Sequence, residues 1–312
     1  MRGADEITER DKRKIMNNST TVSLRSLLRF QLTMVGAFVL VGAMIFALMP
    51  LVSPSMDLSP VQWFANLLSE KFLFFVVAGF VAQLIDGALG MAYGVTSTSL
   101  LLSVGVPPAV ASASVHMAEV FTTAASGVSH WKFGNISRGL FMKLALPGAA
   151  GAAIGAYVLT SFDGAVIKPY VAAYLLVMGV IILFKTSGKS LVYREVKRVR
   201  SLALVGGFVD ASGGGGWGPV VTSTLIGSGH QPRVTIGTIN AVEFLVALTA
   251  SGVFSLFVGL GEWQVVLGLI FGGVLAAPAG AYACRRIKPQ TCMFLVGVLI
   301  VVLSLRTMIL SF

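Results

Sequence analysis

Apolar residues run through this chain in long blocks separated by short polar segments, and the block lengths predict membrane-spanning helices. A helix needs about 20 apolar residues to cross roughly 30 Å of hydrocarbon. Blocks of that size occupy 32–52, 109–129, 139–160, 166–184, 234–258, 263–283 and 291–311. Two further apolar stretches, 72–104 and 202–228, do not fit the single-span pattern. Each is interrupted by glycine near its middle, DGALG at 86–90 and GGGG at 213–216. The expected fold is therefore all-α, a polytopic transmembrane bundle with discontinuous helices.

The two interrupted stretches resemble each other. At an offset of 124 residues, Asp86 falls on Asp210, Gly90 on Gly214, Tyr93 on Trp217 and Gly94 on Gly218. Thr98 and Ser99 then fall on Thr222 and Ser223, Gly105 on Gly229, Pro108 on Pro232, and Glu119 on Glu243. Glycine matches arise easily in apolar sequence, but aspartates and glutamates in register do not. The chain reads as a cytoplasmic N-terminal segment (1–31), a first transmembrane helix (32–52), repeat 1 (72–184), a basic linker (185–201) and repeat 2 (202–311).

Composition agrees with this class. Hydrophobic residues make up 55% and charged residues only 12%, about half the charged share of a soluble domain. The net charge of +10 is confined to short loops and is not interleaved with aromatic residues, which argues against nucleic acid. The N-terminal polar region is too long for a cleavable signal, so the first span is expected to be retained. Cys284 and Cys292 flank the basic stretch RRIKPQT on the reducing side, where a disulfide is not expected.

Charge asymmetry orients the repeats. If each interrupted stretch returns to the side it entered from, all but four of the 23 Lys and Arg face the cytoplasm. The outer loops then carry Asp57, Glu70, Asp163 and Glu262. If each crossed once, the 185–200 segment with its six basic residues would lie outside, against the rule. The favoured topology has a cytoplasmic N-terminus, an external C-terminus and repeats inverted with respect to each other.

Inverted repeats with broken helices place a substrate site near the bilayer midplane. Backbone freed at 86–94 and 210–218 must line protein or water, because an unsatisfied N–H or C=O in lipid costs several kcal/mol. The half-helices beginning near Met91 and Trp217 would aim their N-terminal amides at the centre, where such poles favour an anion. Gly87, Gly90, Gly213, Gly214, Gly215 and Gly216 are the candidate backbone ligands. Thr98, Ser99, Thr222, Ser223 and Asn240 are candidate side-chain donors, although the threonines equally suit back-bonding within their own helix. Tyr93 and Trp217 either wall the cradle or pack between helices.

Asp86, Glu119, Asp210 and Glu243 fall inside apolar stretches. An ionised carboxylate at the bilayer centre costs about 2.5–3.5 kcal/mol even on a lenient scale. Each must face water, find a donor or take a proton, and the group is a candidate for proton coupling, with stapling of a broken helix as the structural alternative. His116 lies three residues before Glu119, and Asn240 three before Glu243, so each pair shares a helical face.

At these residues the chain resembles the sulfite exporter TauE/SafE family of membrane transporters. The resemblance rests on paired glycine-rich motifs, GFVAQLIDGALGMAYG and GGFVDASGGGGWGPV, each followed by a run to a G-x-x-P turn, and covers about 79–311. It implies movement of sulfite, organosulfonates or related small anions across a bacterial plasma membrane, with proton coupling. The first motif lacks the continuous glycine run of the second, so the first half is expected to bind more through side chains.

Two other classes fit the sequence less well. A hydrolase would need Ser212 as nucleophile, but the leading glycine of a nucleophile turn is missing and Ser212 has no twin in the first repeat. An anion channel sits poorly with doubled carboxylates. No ATP-binding motif is present. No cofactor or metal is expected; the expected partners are a small anionic substrate and the lipid bilayer, with a homo-oligomer left open.

Overall fold

The computed structural model describes residues 70–186, 196, 198–259, 263–283 and 289–311. The 1–31 segment, the 32–52 span, most of the basic linker, Cys284 and the side chain of Cys292 lie outside the described residues. Among the described residues the protein is helical, without strands.

The elements are α1 (Glu70–Leu89), α2 (Tyr93–Ser103), α3 (Pro108–Lys132), α4 (Arg138–Thr160), α5 (Gly164–Thr186), α6 (Val199–Gly213), a π-helical turn (Gly218–Thr222) running into α7 (Ser223–Gly227), α8 (Pro232–Phe257), α9 (Trp263–Ala283) and α10 (Pro289–Ile309). Both interrupted stretches are broken as expected. The first breaks between α1 and α2, the second between α6 and the π-helical turn.

Five described helices, α1, α4, α5, α8 and α9, are long and apolar enough to cross a membrane. α3 has the length of a span but not the apolarity, because Ser112, Ser114, His116, Glu119, Thr122, Thr123, Ser126 and His130 lie along it. All of these are buried, on a helix whose main packing partners are α8 and α9. The outer surface is the reverse: Leu73, Val77, Leu146, Ile154, Phe184, Leu256 and Ile309 are exposed. Polar residues inside and apolar residues outside are what a lipid solvent requires, and the protein is a multi-pass membrane protein.

The half-helices end identically. Gly105 and Gly229 take φ of +97° and +91°. Val106 N–H donates to Leu101 O and His230 N–H to Leu225 O, while Gly105 and Gly229 donate to Leu102 and Ile226. This pair of bonds is the Schellman end of a helix. Pro108 and Pro232 then open α3 and α8, where a missing N–H costs nothing.

Packing is reciprocal. α1 lies most extensively on α9 and α6 on α4, while α3 pairs with α8 and α5 with α10. The first helix of each half thus rests on the fourth of the other. Glycines bring these crossings to backbone contact: Gly151 lies against Leu204 and Phe208, Gly207 against Gly148, and Gly272 against Val76 and Phe80. Close approach of this kind supplies association where lipid offers no hydrophobic drive.

A Cβ at Gly151 would stand 2.8 Å from the Phe208 amide nitrogen. Gly151→Val is expected to cost about 1–3 kcal/mol and to lower the melting temperature in detergent. Gly252→Ala, where an added Cβ meets nothing within 4 Å, is expected not to lower melting, since alanine suits a helix interior better than glycine; equal losses in both variants would contradict the backbone-contact account.

Candidate functional site

At the second break, α6 ends on Gly214 at φ +71° and Gly215 at φ +136°, values open to glycine and disfavoured for other residues. The freed amides do not stay empty. Gly215 N–H donates to the Asp210 carbonyl at 2.8 Å. Gly216 and Trp217 N–H both donate to Asp210 Oδ1, at 2.7 and 2.9 Å. Asp210 therefore caps the half-helix that follows it.

The first break repeats the plan more loosely. Tyr93 N–H donates to Asp86 Oδ1 at 3.4 Å, with the same seven-residue reach as Trp217 to Asp210. Gly90 takes φ +66°, and Ala92 takes φ +114° without being glycine. Such a conformation costs of order 1–3 kcal/mol and is held by its surroundings.

The two breaks meet backbone to backbone. Gly94 lies against Gly215, and Gly218 against Met91 and the Gly90 carbonyl. Thr222 Oγ1 donates to Gly90 O at 2.6 Å, so this hydroxyl serves the opposite break and not its own helix. Its counterpart Thr98 has its side chain against Gly214. Ser223 points to Met91 Sδ at 4.0 Å, and Ser99 is buried. Gly87 O accepts from His130 Nε2 at 3.1 Å.

His116 joins the halves. Its Nδ1 lies 2.8 Å from Ser112 O, and a carbonyl can only accept, so the network assigns the proton to Nδ1. Ser112 Oγ in turn donates to Ala211 O at 3.0 Å. His116 Nε2 stands 3.2 Å from Asp210 Oδ2 and 3.9 Å from Glu119 Oε2. With Nδ1 already protonated, Nε2 and an ionised carboxylate are two acceptors face to face, and only a cation between them or a second proton makes the contact favourable. His116, Glu119 and Asp210 offer one ligand atom each within 4.8 Å of one another, a set able to hold a proton or a metal ion.

Glu119 Oε1 would lie 3.0 Å from a Cβ at Gly94, which places this carboxylate against the first break. Glu119 Oε2, Asp86 Oδ2 and Glu243 Oε2 are buried without a hydrogen-bond partner. All four carboxylates lie near enough to feel one another's charge. Asn240, the counterpart of His116, accepts from Ser126 Oγ at 2.7 Å and donates to Ile236 O.

Tyr93 and Trp217 pack between helices. Tyr93 OH donates to Leu269 O at 3.3 Å and Trp217 Nε1 to Ile239 O at 3.4 Å, with the indole against Gly148 and Gly206. Ser212 donates back to Phe208 O within α6.

Tyr174 escaped the sequence reading. Its hydroxyl donates to Gly215 O at 2.7 Å, and its ring lies against Gly213. A cavity of about 300 Å³, bounded by Phe162, Tyr170, Tyr174, Phe208 and Gly213, reaches the second break there. Ser112, four residues before His116, carried the helical spacing that would have revealed it.

Comparison with known proteins follows the same lines. The model of a family described as sulfite exporter TauE/SafE matches residues 75–307. A probable membrane transporter protein, YtnM, of Bacillus subtilis (strain 168) is 46% identical over 250 residues, covering 77% of this chain and 83% of the relative. A probable membrane transporter protein, ORF9, of Sinorhizobium sp is 29% identical over 228 residues, covering 69% and 86%. No solved structure matches.

Removing a carboxylate that caps two buried amides leaves both unsatisfied. Asp210→Ala is expected to cost about 2 kcal/mol of stability, and Asp86→Ala, with one long bond, clearly less. Thermal melting of the two variants in detergent checks the order; the reverse order would contradict the capping roles.

Proposed function

Because this chain belongs to the sulfite exporter TauE/SafE family, we propose that it is a secondary carrier of small sulfur-containing oxyanions, sulfite or an organosulfonate, coupled to protons. The reading is supported first by two helix breaks in backbone contact beside four buried carboxylates and the His116 imidazole. Broken helices in matching halves are the usual location of a transporter's cargo.

In this proposal the cargo and the aspartates compete for the same amides. Asp210 holds the Gly216 and Trp217 N–H groups, and Asp86 holds Tyr93 N–H. A carboxylate that takes a proton weakens as an acceptor and releases those amides, which then present to an incoming anion. Proton binding and anion binding therefore favour each other, and linkage of that kind is reciprocal. His116, Glu119 and Glu243 extend the relay, with His116 Nε2 placed to pass a proton to Asp210 or Glu119.

Gly87, Gly90 and Gly213 to Gly216 give the cargo access to backbone, while Thr98, Ser99, Thr222, Ser223 and Asn240 surround it. Access alternates by rocking of one half against the other, with the halves inverted across the bilayer of a bacterial plasma membrane.

Labelled sulfite flux into vesicles containing the purified chain tests this. Wild-type flux is expected to rise when a pH gradient is imposed, and Asp210→Asn to lose that response while falling roughly tenfold or more. Flux that ignores the gradient in wild type would remove the coupling, and no saturable flux of sulfite or sulfonates would remove the substrate class.

A further inference from the structure

The turn between α3 and α4 carries a chain of hydrogen bonds separate from the carboxylate cluster. α3 ends in a Schellman turn, with Gly134 at φ +67°. Gly134 N–H donates to Trp131 O and Asn135 N–H to His130 O, both at 2.9 Å. The turn holds Asn135 beside the His130 ring, and both side chains are fully buried. His130 Nε2 lies 3.1 Å from Gly87 O, and Asn135 Nδ2 lies 3.0 Å from His130 Nδ1. Arg233, at the start of α8, donates from Nε to Asn135 Oδ1 and from Nη2 to Phe133 O at 2.8 Å.

The chemistry of these groups leaves one arrangement of protons. A guanidinium only donates, so Asn135 must turn its oxygen toward Arg233 and its NH2 toward His130. Nδ1 then has to accept, which leaves the ring proton on Nε2, where the Gly87 carbonyl takes it. His116 is the opposite tautomer, with its proton on Nδ1. Gly87 O needs such a donor, because its helical partner would be Met91 N–H and Met91 lies past the end of α1.

The chain crosses from one half to the other. Gly87, His130 and Asn135 belong to the first half and Arg233 to the second. The clasp continues along α8, where Gly237 lies against the Asn135 backbone and Thr238 Oγ1 accepts from Ser137 N–H at 2.9 Å. It has no mirror image. At the 124-residue offset His130 falls on Phe254, Asn135 on Gly259 and Arg233 on Ala109, and none of these replacements can relay a hydrogen bond through its side chain.

We infer that Arg233 is a positioning residue for the first break: through Asn135 it sets the tautomer of His130, and His130 in turn holds the Gly87 carbonyl. Its use in transport rests on the carrier reading above. Rocking that carries the start of α8 away from the α3–α4 turn withdraws the guanidinium. The carboxamide is then free to turn over, the imidazole to change tautomer, and the Gly87 carbonyl loses its donor. The first break is thereby tied to the position of the opposite half, from one end of α3 only.

The chain has three histidines, His116, His130 and His230, so isotope-labelled histidine lets NMR of the purified full chain follow each ring. Wild-type His130 is expected as the neutral Nε2–H tautomer. Arg233→Met keeps the apolar stem and removes the donors. It is expected to lose that single tautomer and to speed amide exchange over 86–94 roughly tenfold, the worth of one hydrogen bond, with a smaller rise over 210–218. Asn135→Asp offers the ring an acceptor in place of a donor and is expected to put a proton on Nδ1; it decides the matter if melting shows that Arg233→Met does not fold. A wild-type ring protonated on Nδ1 overturns the inference. So does a folded Arg233→Met with the His130 signal or the exchange over 86–94 unchanged, or an Asn135→Asp ring still bare at Nδ1. These assays use no cargo, so their failure stands apart from the flux result that would remove the carrier reading.

Discussion

Main chain that leaves its helix inside a bilayer has no water to turn to, and the centre of this protein is organised around that constraint. Each unwound segment exposes amides and carbonyls at a depth where every unpaired group costs several kcal/mol. The answer here is internal. Asp210 and Asp86 cap the half-helices that follow them, Tyr174 binds the Gly215 carbonyl, and Thr222 binds the Gly90 carbonyl. Two of these partners come from the opposite half of the chain. Neither break is complete alone, and Gly94 against Gly215 allows nothing larger between them.

The halves share a plan without sharing its details. The second break is a run of four glycines, two of them at positive φ, closed by two short bonds to one carboxylate. The first uses Gly90 and a strained Ala92, closed by one long bond. Glycine-rich backbone on one side and side-chain groups such as Glu119 and His116 on the other divide the work of making a polar interior. The division matches the difference between DGALGMAYG and DASGGGGWG.

The spans at 139–160, 166–184, 234–258 and 263–283, the two breaks and the paired carboxylates were legible in the sequence, because lipid imposes block lengths and makes buried Asp and Glu conspicuous; 109–129 proves too polar and the described part of 291–311 too short in its apolar run to count as spans, and α1, set aside as part of an interrupted stretch, is one. The G-x-x-P turns were legible for a similar reason, since Gly105 and Gly229 take a conformation few other residues adopt. The partners of those groups were not. His116 meets Asp210 across 94 residues, and no local spacing encodes that contact. Tyr174 lies in an apolar run and has no twin at the matching position, so the repeat that exposed the aspartates concealed it. The polarity of α3 was visible residue by residue, but its meaning depends on α8 and α9 covering it.

His116 and Asn240 occupy matching positions yet do different things: one faces a carboxylate, the other accepts from Ser126. A dimer of two identical short chains would have to carry imidazole at both places or at neither. Joining the halves in one polypeptide frees each position to drift separately, so an ionisable ring can occupy one of two matching places and not the other. The linkage gives the machine a front and a back.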